Sequence, residues 1–315
     1  MEIIKRWVVI IIGSGPAGCT ASLYLAKANI PIAMLTGPRA GGQLVDAGCV
    51  ENWPGELAIS GPQLVRRLLS QTQKSGVEMI RDSIRKTELS HKPFLLVGKQ
   101  AYLCESVIVS TGSMPKKLKA EDRGVCGALS YCAVCDGHLF SGKKVLVVGG
   151  GDTATADILY LNKTSKEMVL VHRKNNLKAC PNNQTKVFEL EEAGRLLISW
   201  DSEIERFGMH SSNIKRSVCS AGIWGASNTF ALDGSFISIG HEPSTKPFQT
   251  YLAISGVGSL KTDCSDERTI TQTNIRGIFA AGDVRDDYYR QIVTSTSAGC
   301  IAALEAQKLL NISQF

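Results

Sequence analysis

Two cysteines separated by two residues stand in the run Tyr131-Cys132-Ala133-Val134-Cys135-Asp136-Gly137. Such a pair closes a small disulfide ring and opens it again at low cost, and thiolate attack rather than packing sets its chemistry. The same spacing occurs in half of a structural zinc site. A complete site needs four ligands, and no second Cys-x-x-Cys or closely spaced histidine pair supplies them here. The pair therefore reads as a redox centre, and no metal is expected.

Its place in the chain sharpens that reading, because it lies between two glycine-rich nucleotide signatures. The first follows the β-branched run Val8-Val9-Ile10-Ile11-Ile12 and consists of Gly13, Ser14, Gly15, Pro16, Ala17 and Gly18, with a helix expected from Cys19 to Ala28. In this G-x-G-x-x-G fingerprint Gly13 makes the tight turn, Gly15 lets a pyrophosphate approach the backbone, and Gly18 lets helix and strand pack closely. The next strand, residues 32–35, ends at Thr36, where an acidic ribose ligand is the usual choice. A neutral tip with no arginine suits FAD or NAD and does not invite a 2′-phosphate.

The second signature follows the strand at residues 144–148. It runs Gly149, Gly150, Gly151, Asp152, Thr153, Ala154, the G-x-G-x-x-A variant, before a helix reaching Leu161. The following strand, residues 168–171, ends in His172, Arg173 and Lys174, with Lys178 close behind. A cationic tip accommodates the 2′-phosphate of NADP, and the planar guanidinium suits it best. Opposite strand-tip chemistry in the two units implies two different dinucleotides, the second being NADPH.

The elements that must position these groups follow the same grammar. Residues 41–43 and 51–55 read as a long glycine-rich polar loop, and Pro62 opens an amphipathic helix to about Ser75. Residues 107–112 form a buried strand ending at Thr111 and Gly112. After residue 243 the second unit ends, and residues 277–283 form a buried strand that needs an adjoining sheet. Asp283 at its end can accept hydrogen bonds from cofactor hydroxyls. A final helix is expected from Ser297 to Leu310. Length and composition fit two ordinary domains: 315 residues, a dispersed formal charge of +6, and basic clusters without interleaved aromatics, which excludes a nucleic-acid site. The run at residues 7–12 is too short to span a membrane, so a cytoplasmic protein is expected. Most of the eight cysteines outside the pair (Cys19, Cys49, Cys104, Cys126, Cys180, Cys219, Cys264 and Cys300) are expected to be buried thiols in a reducing compartment.

Taken together and in order, these motifs resemble the low-molecular-weight bacterial thioredoxin reductases over essentially the whole chain. The resemblance rests on residues 13–18, 41–43, 50–55, 132–136, 149–154, 172–174, 282–284 and 289–291. It implies an α/β fold of two Rossmann-like nucleotide-binding domains, with an NADPH domain (114–243) inserted within a discontinuous FAD domain (1–113 and 244–315). It also implies a homodimer acting on thioredoxin. Cys132 would be the interchange thiol, Cys135 the sulfur nearest the flavin, and Asp136 the acid–base group. Gly42, Gln43, Leu44, Asn52, Thr111, Gly112, Gly282, Asp283, Arg290 and Gln291 would line FAD, with the start of the last helix beside the flavin ring. The chain departs from the family pattern at Lys174 and Lys178, where arginine is usual, and at Ala156-Asp157, Val134 and Ser110.

The activity so implied is thioredoxin-disulfide reduction, with electrons passing from NADPH through FAD to the dithiol. Because one dithiol must meet both a flavin and a protein, rotation of the inserted domain about residues 112–117 and 240–245 is expected. Two rival readings keep the flavin and the dithiol. A dithiol oxidase would lack the cationic tip, which Arg173 argues against, and a non-catalytic redox sensor would differ only in activity.

Overall fold

In the computed structural model, which describes residues 5–119, 121, 128–209, 217–223, 226–262 and 269–312, β1 (Lys5–Ile12) leads through the first glycine turn into α1 (Pro16–Lys27). The helix starts at Pro16 rather than Cys19, since proline at the first helical position forfeits no needed N–H and its fixed φ suits the helix. β2 (Ile32–Leu35) returns parallel to β1, pairing Ile10 with Ala33 and Ile12 with Leu35.

The stretch expected to be irregular is partly ordered. It holds a 3-10 turn at Gly42–Asp46 and a short antiparallel hairpin of β3 (Cys49–Val50) and β4 (Ile59–Ser60). Leu44, Val50 and Ile59 are buried with Leu64 and Val65 of α2 (Gly61–Lys74), and that apolar contact orders the loop. β5 (Glu78–Ile80), β6 (Lys86–Glu88), β7 (Phe94–Val97) and β8 (Ala101–Val109) complete a sheet in the order β5-β2-β1-β8-β7-β6.

The chain then passes through β9 (Ser113–Pro115) into the second unit. There β10 (Leu129–Ser130), α3 (Ala133–Asp136), β11 (Lys144–Val148), α4 (Asp152–Leu161), β12 (Glu167–Val171), α5 (Pro181–Glu192) and β13 (Leu196–Ser199) follow in sequence. β14 (Glu203–Met209), β15 (Ser217–Ile223) and β16 (Ala226–Leu232) form a separate antiparallel sheet. β17 (Gly234–Ile237) inserts into the parallel sheet, giving the order β10-β17-β11-β12-β13, and β18 (His241–Pro243) leads out. The unbroken apolar strands of this unit are explained by burial on both faces. Val145, Val147 and Leu170 pack with Ala154, Ile158 and Val187 of the helices. Leu146, Val148 and Val171 pack with Ile204, Phe207 and Leu232 of the antiparallel strands. Each such side chain contributes about 1.5–3 kcal/mol.

The returning chain supplies β19 (Ile278–Ala280) and α6 (Ile292–Ile312). β19 pairs parallel with residues 107–109 of β8, while the first half of β8 pairs antiparallel with β7. The described chain thus separates into one unit of Met1–Met114 with Glu242–Phe315 and a second of Pro115–His241. α6 begins at Ile292, five residues before the expected start. Thr294, Ser295 and Thr296 look like loop formers, but Thr294 and Thr296 donate their hydroxyls to the carbonyls of Gln291 and Val293, and Asp286 accepts the N–H groups of Tyr288 and Tyr289 ahead of the helix. α6 packs on α1 where Gly299 meets Ala17: a Cβ at Gly299 would come within 2.2 Å of the Ala17 carbonyl oxygen.

Among the cysteines, Cys19 and Cys104 are buried as expected. Cys49 and Cys180 are exposed and Cys300 is half-buried. Cys126, Cys264 and the side chain of Cys219 lie outside the described residues.

Candidate active site

Cys132 and Cys135 are joined in a disulfide at the start of α3, with their Cα atoms 5.3 Å apart. Cys132 is the N-cap of this single turn, and the Cys135 N–H donates to Cys132 Sγ at 3.1 Å. A backbone donor is thus already aimed at the sulfur that carries charge when the ring opens. Asp136, half-buried, closes the turn by donating its N–H to the Cys132 carbonyl. Its Oδ2 accepts a 2.6 Å hydrogen bond from Ser130, whose hydroxyl also accepts the Cys132 N–H at 3.0 Å. Val134, between the cysteines, is half-exposed. Tyr131 donates to Glu121, and burial, followed by that carboxylate, pushes the phenol far above its ordinary value.

The first glycine turn is a close-packed corner. A Cβ at Gly13 (φ +114) would lie 2.2 Å from the Ser110 carbonyl oxygen, and one at Gly18 would lie 2.0 Å from the Gly13 carbonyl oxygen. Gly15 differs, with nothing within 4 Å of where its Cβ would point. Directly after it, α1 begins without a side-chain cap. Free N–H groups at a helix start, beside open space over a glycine, are what a pyrophosphate requires. Ser14 is buried and donates to the Thr36 carbonyl while accepting the Gly41 N–H. The Thr36 hydroxyl donates to the carbonyl of Gly37. Gly42 (φ +64) brings its missing Cβ to 3.5 Å from Gly15 Cα, and Leu44 is buried in the loop's apolar cluster.

Around this turn the structure gathers residues that are distant in sequence. The Asn52 side-chain amide donates to Gln291 at 3.4 Å across 239 residues. Gln43 donates to the Ser113 carbonyl, next to Gly112 (φ +68), and the Thr111 hydroxyl donates to the Ser244 carbonyl. Gly282 (φ +78) lies against Ala17 at the α1 start, its missing Cβ 3.0 Å from that of Ala17 and 3.4 Å from the Ser295 hydroxyl. Asp283 receives Ser295 of α6 at 3.0 Å, and burial holds its carboxyl above the usual range. Arg290 takes a left-handed backbone (φ +49) and donates its guanidinium to the Asp287 carbonyl, immediately before Gln291 and the start of α6.

The second turn repeats the geometry with different neighbours. Gly149 (φ +151) would place a Cβ 2.4 Å from the Ser238 carbonyl oxygen, and Gly151 again faces open space. α4 starts at Asp152 without a side-chain cap, Thr153 lies half-buried in its first turn, and Ala154 is fully buried. Asp152 Oδ1 accepts the Cys180 N–H at 2.7 Å, while the Lys178 N–H donates to the Gly150 carbonyl at 2.7 Å. The segment bearing Lys178 is therefore fastened to the glycine turn. At the strand tip Arg173, Lys174 and Lys178 are exposed. His172 is not. Its ring packs against Gly150, and Nε2 lies 3.0 Å from the Asn176 carbonyl, so it braces the turn from within.

The structure also brings in groups that sequence reasoning passed over. Ser130 is one, two residues before the redox pair and on no nucleotide motif. Ser295 and Ser238 are others; Ser238 donates to Asp157 of α4 at 2.5 Å. Short serines carry no pattern of their own, and only the fold reveals what their hydroxyls meet.

A model of the pyridine nucleotide-disulphide oxidoreductase family matches residues 7–299. A thioredoxin reductase of Coxiella burnetii is 38% identical over 96% of this chain and 96% of its own. A glucosaminate ammonia-lyase of Pseudomonas fluorescens is 35% identical over 96% and 95%. The solved thioredoxin reductase of Giardia duodenalis superposes with a TM-score of 0.89 at 30% identity, covering 98% of this chain and 99% of that one.

Proposed function

The chain belongs to the pyridine nucleotide-disulphide oxidoreductases, and from that we propose that it is an NADPH-dependent thioredoxin-disulfide reductase working through FAD and the Cys132–Cys135 pair. The observation that carries this reading is the disulfide itself, with a carboxyl beside it and a backbone donor on its sulfur. An ammonia-lyase has no need of a dithiol, so the ammonia-lyase relative does not set the activity.

The residues present fit both cofactors. The α1 start, Gly15, Gly42, Gln43, Asn52, Asp283 and Gln291 would hold FAD, and the buried Asp283 carboxyl, which accepts from Ser295 through Oδ1, keeps capacity for a cofactor hydroxyl. The α4 start, Gly151, Arg173, Lys174 and Lys178 would hold NADPH. When bound, the flavin would supply two-electron chemistry, taking a single hydride from NADPH and making its electron pair available to sulfur.

The chain's own groups do the rest. Two electrons and two protons convert the Cys132–Cys135 disulfide into two thiols. Cys132 gives its proton to the Asp136 carboxylate and, as thiolate, attacks one sulfur of the thioredoxin disulfide. That S–S bond breaks, a mixed disulfide forms, and the leaving thiolate takes a proton from Asp136. Asp136, again a carboxylate, takes the Cys135 proton. The Cys135 thiolate attacks Cys132 Sγ and restores the internal disulfide, and the second thioredoxin sulfur leaves with that proton, so that thioredoxin departs as a dithiol. Cytoplasmic residence and a homodimer belong to the same proposal. Cys19, Cys49, Cys104, Cys180 and Cys300 are free thiols, which supports a reducing compartment, and among the described residues no helix is long and apolar enough to cross a membrane.

The test is NADPH consumption by flavin-loaded protein with oxidised thioredoxin, beside Cys135→Ser. Turnover in the wild type and none in the variant is expected. Flavin reduction without thioredoxin turnover would replace thioredoxin with another disulfide, and no flavin reduction at all would defeat the reading.

A further inference from the structure

We propose that Ser130 is a positioning residue for the dithiol chemistry, holding Asp136 against Cys132 when the disulfide is open. This rests on the reductase reading above. Ser130 ends the edge strand β10, is 4% exposed, and is fixed by parallel pairing with Phe236 of β17. Its hydroxyl touches three groups: the Asp136 carboxylate at 2.6 Å, the Cys132 N–H at 3.0 Å and the Cys132 carbonyl at 3.2 Å. One hydroxyl has one proton. The shorter contact to the charged acceptor takes it, the Cys132 N–H fills a lone pair, and the serine becomes a bridge from the cysteine backbone to the carboxylate. Asp136 then has Oδ2 anchored and Oδ1 left for proton exchange.

The need for a bridge follows from the redox cycle. α3 has four residues, a single turn that cannot hold itself together in isolation. In the oxidised state the Cys132–Cys135 ring staples it. Every catalytic cycle cuts that staple, and the cut state is the one in which Asp136 must take a proton from Cys132 and pass it to the leaving thiolate. The hydrogen bonds through Ser130 do not depend on the S–S bond and persist across the cycle. The serine therefore acts on the steps that pass through the open dithiol, and not on hydride transfer upstream of it.

Wild type, Ser130→Ala and Ser130→Thr would be compared as flavin-loaded enzymes. Each would be assayed with oxidised thioredoxin and with ferricyanide, which draws electrons before they reach the sulfurs. Ser130→Ala should lower kcat with thioredoxin about 10- to 100-fold and leave both KM values within about two-fold. Flavin content and ferricyanide turnover should hold, and Ser130→Thr should recover most of the lost kcat. In an Asp136→Asn background, Ser130→Ala should cost almost nothing more, because the two act as a unit. Unchanged kcat in Ser130→Ala would overturn the proposal. So would a parallel fall in ferricyanide turnover or flavin content, no recovery by folded Ser130→Thr, or full additivity with Asp136→Asn. Failure of the reductase reading would look different, with no thioredoxin turnover in the wild type itself.

Discussion

The two glycine turns share a backbone and differ in what surrounds it. In both, a left-handed first glycine presses its missing Cβ into the carbonyl of the residue just past a strand end, Ser110 after β8 and Ser238 after β17, and the middle glycine leaves open space ahead of an uncapped helix. The first is laced by neutral hydroxyls, Ser14 reaching Thr36 and Gly41. The second is fastened by charge, with Asp152 holding the Cys180 N–H and a buried His172 beneath exposed Arg173 and Lys174. The cradle supplies phosphate binding in each case. Which dinucleotide is taken is decided one strand away, at a tip that the cradle does not constrain. Packing differs too: the first turn ends in Gly18, the second in Ala154.

That last difference gives the largest expected effect. A methyl at Gly18 has a backbone oxygen 2.0 Å away and the Ser110 hydroxyl 2.8 Å away, and neither can yield without moving β8 or α1. Gly18→Ala should cost about 1–3 kcal/mol by overpacking and abolish FAD retention, read as the ratio of flavin to protein absorbance after purification. Ala154→Gly, the reverse exchange in the second turn, removes one methyl and should cost about 1 kcal/mol with NADPH use intact. Equal flavin loading in Gly18→Ala and wild type would show that the two corners are interchangeable after all.

Next in size is the strand tip. Arg173 is exposed, and no ion pair with it is found among the described residues, so its removal should act on the ligand rather than on the fold. Loss of a charge-assisted contact of about 1.5–3 kcal/mol predicts a rise of about 10- to 100-fold in KM for NADPH for Arg173→Ala, with KM for NADH nearly unchanged and kcat preserved. A matching rise for both nucleotides would mean that Arg173 does not read the 2′-phosphate. The same substitution should leave flavin content untouched, which separates the two units functionally.

How much of this was readable in advance follows the range of the interaction. The strands at residues 8–12, 32–35 and 144–148 declare themselves locally, because burial on both faces demands continuous β-branched runs and the glycines mark the turns. The redox pair is equally local, its two sulfurs three residues apart. Long-range partners are not. That Asn52 meets Gln291, or that the Ser106 hydroxyl reaches Gly277, depends on β19 joining β8 from the far end of the chain. Ser130 was missed for a related reason: a serine two residues ahead of a cysteine becomes informative only when β17 fixes its position. His172 was read from its neighbours as part of a cationic tip, yet its ring points inward. Motif spacing places a residue on a strand end without saying which way its side chain turns.

His172 also yields the smallest and most discriminating test. The backbone carbonyls of Asn176 and Gly149 face the ring and can only accept, so the imidazole acts toward them as a donor. Burial pushes the imidazole below its ordinary value of 6.5, and the charges of Arg173 and Lys174 act in the same direction, outweighing the carbonyls that favour protonation. The unfolded chain then binds a proton that the folded second unit resists. Stability from this residue is complete above pH 6.5 and falls away as the pH drops through that value toward the folded-state pKa. The first turn has Ser14 and Thr36 in the corresponding places, neither of which titrates. Acidification from pH 7.5 to pH 5.5 should therefore lower the protection of amides in β12 and α4 against hydrogen exchange more than that of β1 and α1. The change in melting temperature should be on the order of a few degrees. His172→Gln keeps a donor for the Asn176 carbonyl without a titrating ring, and should flatten the difference. If the two units lost protection together in the wild type, or if His172→Gln kept the same slope, the pH asymmetry would have to come from other groups.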